Sequence, residues 1–156
     1  MDPDTVKRSL EGEYEGEGKA AFSSNLPDHF FDQFILQGLR IDAVEHGRVL
    51  CSLSVPPRLS SSSGGYIHGG VITSLADVVG AAVFYSAGIL TSGVSLEISV
   101  SFVDVASIGD EIDIEGKLLR AGKSVGVTSV DFVNKKTRKT IAQARHTKYL
   151  AASSRL

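Results

Sequence analysis

A single cysteine, Cys51, leaves this 156-residue chain without an intramolecular disulfide. Its stability must therefore come from packing and hydrogen bonds. A lone thiol fits a reducing compartment or one indifferent to redox state, and Cys51, set in an alternating apolar run, reads as a small core residue. Charge of one sign is also lacking. A formal net charge of −2 gives no reason to expect a nucleic-acid or membrane-surface binder. Long apolar runs are missing except at residues 67–83, "IHGGVITSLADVVGAAV", where Asp77 interrupts a stretch rich in Gly, Ala and Ser, so no membrane span is expected. The N-terminus is acidic and rich in Gly and Glu, without the basic-then-apolar order of a secretory signal, and residues 1–27 read as a mobile tail. The one G-x-S-x-G spacing, Gly122 to Gly126, falls at a turn between two strand patterns rather than between a strand and a helix, so no nucleophile elbow is expected.

What remains is a chain that is 42% hydrophobic, enough for one domain with a real core, expected over residues 28–150. "LPDHFFDQFILQG" places Phe30, Phe31, Phe34 and Ile35 on one face of a short helix stopped by Gly38. Leu39, Ile41 and Ala43, then Val49, Cys51, Leu53 and Val55, alternate with polar residues on either side of His46-Gly47, which predicts a hairpin ended by Pro56-Pro57. A long helix follows from about Gly70 to Ala87. Beyond Gly88, Val94, Leu96, Ile98, Val100 and Phe102 form one strand face, expected to be core, with Ser95, Glu97, Ser99 and Ser101 opposite. Three further strands complete the chain, the last two alternating less cleanly, as a bulge or two covered faces would cause. One long helix and about six mostly antiparallel strands bury their apolar faces together only if the sheet wraps around the helix. The class is α+β.

Projection of the long helix at 100° per residue puts Val71, Leu75, Val78, Val79 and Ala82 toward the sheet. Asp77 falls on the far side with Thr73, Gly80, Ala81 and Phe84, a face of small and apolar residues suited to a second surface rather than to water. Gly69 and Gly70 sit where the helix begins, so free N–H groups and the positive dipole end can hold an anion or a developing oxyanion. His68 reads as a cap to that turn and stands beside them as a candidate site residue.

The stretches "IHGGVITSLAD", "SGVSLEISVSFVDVASIGDEIDIEGKLLRAGKS" and "IAQARHTKYL" together resemble the hotdog-fold acyl-CoA thioesterases, specifically the small single-domain group of the thioesterase superfamily, from about Phe30 to Leu150. The resemblance implies a helix wrapped by an antiparallel sheet, a homodimer or a dimer-of-dimers tetramer, and an active site between subunits. It implies that Gly69 donates its N–H to the thioester carbonyl, that Asp77 acts across the interface as general base or nucleophile, and that Ser95 helps place the water. Relatives carry an asparagine in the loop before the histidine. This chain has serines there, and Ser61 and Ser62 compete for the position, Ser62 being taken as the site residue.

By the same resemblance the coenzyme A portion of the substrate lies along Phe102, Arg120, Gly122, Lys123, Ser124, Lys148 and Tyr149, with Arg120, Lys123 and Lys148 facing phosphates. No metal or separate cofactor is implied, and neither nucleic acid nor membrane is an expected partner. The acyl group is fatty or aromatic, a 1,4-dihydroxy-2-naphthoyl group among the alternatives. A hydratase would need a histidine about five residues after the aspartate, where Ala82 stands; a non-catalytic acyl-CoA binding protein is the other alternative. His146 reads as a strand residue near the ligand edge. Finally, Ser154-Arg155-Leu156 in the 151–156 tail has the serine-basic-leucine pattern of a peroxisomal address, which predicts a matrix protein carried by the import receptor.

Overall fold

A computed structural model of the chain describes residues 27–90 and 93–150. Most of the acidic N-terminal tail, and the tripeptide Ser154-Arg155-Leu156, lie outside the described residues. The chain divides into two compact units, one ending at Phe34 and the other starting at Ile35. In the first, the Phe30 N–H donates to the Pro27 carbonyl at 3.2 Å and opens helix α1 (Phe30–Leu36), which runs on into the second unit. Gly38, at φ +90°, takes the left-handed conformation that ends α1, as its position in the sequence predicts.

The second unit continues with β1 (Arg40–Glu45), β2 (Arg48–Ser54), a 3-10 turn (Pro57–Leu59), helix α2 (Gly69–Ser86), β3 (Val94–Phe102), β4 (Glu111–Ala121), β5 (Val125–Asn134) and β6 (Thr140–Tyr149). The six strands form one sheet in the order β1-β2-β4-β5-β6-β3, every neighbouring pair antiparallel. This is the α+β architecture expected from the periodicities, the hotdog fold. β1 and β3 are its two edges.

Helix α2 is long and apolar enough to cross a membrane by composition alone. Here it is the core element. Leu75, Ala76 and Val83 are fully buried against the same cluster as Ile112, Ile114, Val130 and Phe132 of the sheet. Close approach is possible because β4 and β5 present glycines: a Cβ on Gly116 would stand 2.6 Å from the Val83 side chain, and one on Gly126 would stand 2.3 Å from the Phe84 ring.

Two expectations are corrected by this packing. Gly80 and Phe84 do not face a second surface; both are buried and lie against their own sheet, because a sheet that curls around a helix covers far more than one stripe of it. Nor is the apolar face of β3 core throughout. Val94, Leu96 and Phe102 are exposed, and only Ile98 and Val100 pack partly against the core cluster. A bulge between Ser95 and Glu97 reverses the alternation, so Ser95 turns to the helix side with Ile98 rather than away from it. The bulge foreseen near the C-terminus is present in the β5–β6 pairing, which shifts register between Phe132 and Val133.

Candidate active site

The N-terminus of α2 is positioned by a short antiparallel loop. The His68 N–H donates to the Leu59 carbonyl at 2.9 Å and the Ser61 N–H to the Tyr66 carbonyl at 2.7 Å, with Ser60 and Ile67 bridged between them. His68 is the N-cap, with φ −70° and ψ 136°, and its Nδ1 accepts the Gly70 N–H at 2.9 Å. The Gly69 N–H has no hydrogen-bond partner among the described residues. It stands at the positive end of an 18-residue helix, where an anionic oxygen is favoured. The ring of Phe102 lies alongside, 3.4 Å from where a Cβ on Gly69 would stand.

Asp77 is two turns further along α2, its side chain half-exposed at 48%. The Ser95 hydroxyl donates to Asp77 Oδ1 at 3.1 Å, and His146 Nε2 is 2.8 Å from Ser95 Oγ and 3.3 Å from the same Oδ1. Hydrogen-bond counting fixes the protons in this triangle. A carboxylate only accepts, so if Nε2 carried a lone pair it would face both the carboxylate oxygen and a hydroxyl already needed by that oxygen. With Nε2–H, the ring donates to Ser95 Oγ and toward Oδ1 while Ser95 donates to Asp77. Both donors then converge on Oδ1, and Oδ2 remains for water.

His146 is fully buried, and burial holds its pKa below the ordinary histidine value; the Asp77 charge opposes this and the Lys148 charge assists it. A depressed histidine pKa means that the unfolded chain takes up the proton first. Stability tied to this ring is therefore complete above the unfolded value of about 6.5 and is lost as pH falls through the lower folded value. Chemical denaturation across that window is expected to show falling stability in the wild type and a flatter dependence in His146→Gln. Equal slopes would show that the ring does not titrate out of register with the unfolded chain.

The remaining candidates named from the sequence separate into groups by place. Ser62 is at the exposed tip of the loop before α2, with no hydrogen bond to Gly69, Asp77 or Ser95, and the Ser61 hydroxyl is spent on Ser63 Oγ at 3.0 Å. Gly122, Lys123 and Ser124 form the β4–β5 turn, closed by the Gly122 N–H on the Val125 carbonyl at 2.8 Å, with Arg120 and Tyr149 near the same end of the sheet. Lys148 differs from the expected surface phosphate ligand. It is only 9% exposed and pairs across the strands with Ser95 and Gly126, on the helix side. Phe102 is at the opposite end of β3: Val94 pairs with Tyr149, whereas Phe102 pairs with Ala142. Gly69 and Phe102 thus make one group, and Asp77, Ser95 and His146 another.

His146 is a candidate site residue that periodicity alone passes over. The signal was present, since Ala142, Ala144 and His146 share one strand face and the two alanines mark that face as buried. A polar ring on a buried face asks for a partner.

One long helix wrapped by a six-stranded antiparallel sheet is the architecture of the hotdog thioesterases, and sequence comparison agrees. The thioesterase superfamily profile matches residues 64–141, and the chain belongs to that superfamily as a thioester hydrolase. It is 32% identical to human acyl-coenzyme A thioesterase 13 over 116 residues, 74% of this chain and 82% of that protein. Among solved structures it resembles zebra fish thioesterase superfamily member 2, with a TM-score of 0.74 and 27% identity over 97% of this chain and 99% of that one. A Streptococcus mutans protein solved bound to acetyl CoA is similar with a TM-score of 0.66 and 25% identity, over 71% of this chain and 86% of that one.

Proposed function

We propose that the chain is an acyl-CoA thioesterase whose active site is completed between two copies, the Asp77 group of one facing the Gly69 group of the other. The observation that carries this reading is their separation. Eight residues of α-helix put Gly69 and Asp77 of one chain about 12 Å apart along the axis, too far to act on one carbonyl. Both groups border β3, an edge strand with exposed apolar side chains, Gly69 at its Phe102 end and Asp77 at its Ser95 end. Antiparallel pairing of two such strands about a twofold axis would lay unlike ends together.

In this arrangement Asp77 Oδ2 takes a proton from water as the water oxygen attacks the thioester carbon. The charge gathering on the carbonyl oxygen is held by the Gly69 N–H and the dipole of α2 in the second copy. Collapse breaks the C–S bond, and the proton on Asp77 passes to the leaving thiolate. The products are the free acid and coenzyme A, and the carboxylate is regenerated. Coenzyme A as the thiol is supported by the acyl-coenzyme A thioesterase relatives and by the acetyl-CoA complex of the S. mutans protein. Arg120 and Lys123, exposed at one end of the sheet, are the cations we assign to its phosphates. The acyl group is a fatty chain or an aromatic acyl.

Free-thiol release from a panel of fatty and aromatic acyl-CoAs tests the reading. Turnover of at least one member is expected. Tight binding with no turnover of any member would replace the enzyme with a non-catalytic acyl-CoA binding protein.

A further inference from the structure

With Nε2 committed to Ser95 and Asp77, the other nitrogen of His146 is left in the interior. Nδ1 is buried and meets no hydrogen-bond partner. On the adjacent strand, Thr128 is the residue directly opposite His146 in the β5–β6 pairing, and its fully buried Oγ1 also lacks a partner. Among the described residues no other buried side-chain nitrogen or oxygen is in this position. The two atoms are also neighbours. A Cβ on Gly80 of α2 would stand 2.7 Å from His146 Nδ1 and 2.9 Å from Thr128 Oγ1. One is a bare acceptor by the proton count above; the other is a hydroxyl with a proton to give.

We propose that Thr128 is a positioning residue of the active site: its hydroxyl, turned by rotation about Cα–Cβ, donates to His146 Nδ1 and so holds the ring in the Nε2–H form aimed at Ser95 and Asp77. Gly80 is the helix residue that admits the pair, since any side chain there would fall within 3.0 Å of both atoms. A second consequence is orientation. A ring held at both nitrogens cannot flip, so the donor that completes the Asp77 Oδ1 shell stays fixed. The charged groups facing the ring are Asp77 from α2 and Lys148 from its own strand, and neither reaches Nδ1 by a hydrogen bond.

The kinetic part of the test rests on the thioesterase reading and the spectroscopic part does not. In protein carrying ¹⁵N-labelled histidine, with the His146 signals identified by their loss in His146→Asn, the Nδ1 resonance is expected at the position of a hydrogen-bonded acceptor. Thr128→Val, which keeps the shape and removes the donor, should move it toward that of a bare nitrogen. Thr128→Ala should do the same, and Thr128→Ser should leave it in place. Loss of one such bond is expected to lower kcat about fivefold in the valine variant with KM unchanged, and the serine variant should recover most of it. An Nδ1 resonance identical in wild type and both donor-less variants overturns the inference, as does an Nδ1 that carries the proton in the wild type. Absence of thiol release from the wild type would instead overturn the functional reading, with the nitrogen shift still deciding the role of Thr128.

Discussion

Asp77→Asn is expected to lower kcat by roughly 10²–10⁴-fold, the usual contribution of a positioned general base, while leaving KM nearly unchanged. Asparagine has the shape of aspartate, and at a half-exposed position its amide oxygen can still accept from Ser95 and His146, so the triangle and the fold persist. What disappears is the oxygen that, in the proposed mechanism, takes the proton of water. Steady-state thiol release compares the two proteins directly, and a loss below tenfold would remove Asp77 from the role of base. A matching rise in KM would mean that the carboxylate mainly binds substrate.

Gly69→Pro is expected to lower kcat by roughly 10²–10³-fold with little change in thermal stability, because it deletes the N–H proposed to hold the oxyanion from a place where proline is otherwise welcome. Gly69 is the first residue of α2, its N–H serves no internal bond, and His68 before it already has the extended conformation that a residue preceding proline adopts. The substitution exchanges that unpartnered N–H for a ring methylene, and its Cβ arrives at contact distance from Phe102. Gly69→Ala keeps the N–H and serves as the control. If the proline variant turned over normally, the oxyanion would have to be held elsewhere. The two lesions also probe assembly. Refolded together in equal amounts, half of the dimers would pair one lesion with the other and retain one intact site, restoring about a quarter of wild-type activity. A site built within one chain would show no restoration.

Much of this was legible in the residues themselves. The helix around Asp77 and the strands on either side follow from spacing alone, since periods of 3.6 and 2 are imposed by backbone geometry. Ser95 shows where such reading stops. Counting by twos from Ile98 puts it on the wrong face, because a bulge adds one residue without altering composition. Gly80 and Phe84 failed for a different reason: a projection gives direction from the axis, and only the curvature of the sheet determines how much of the circumference is covered. Val94, Leu96 and Phe102 read as core because an apolar side chain left at the surface has the same signature in the sequence as one bound for the interior. The carboxylate and the glycine were visible as oddities of composition. The physical ground for assigning them to different copies of the site, their places at opposite ends of β3, is a matter of three dimensions and leaves no mark on composition.

The open edge at β3 carries a cost outside catalysis. A strand paired on one side only, with exposed apolar side chains, is a template for any extended segment, and no proline blunts it. On the pairing proposed above, a newly made chain would be most vulnerable while scarce, before it meets a copy of itself. Abundance then acts as a form of quality control, with dilution removing protection and activity together.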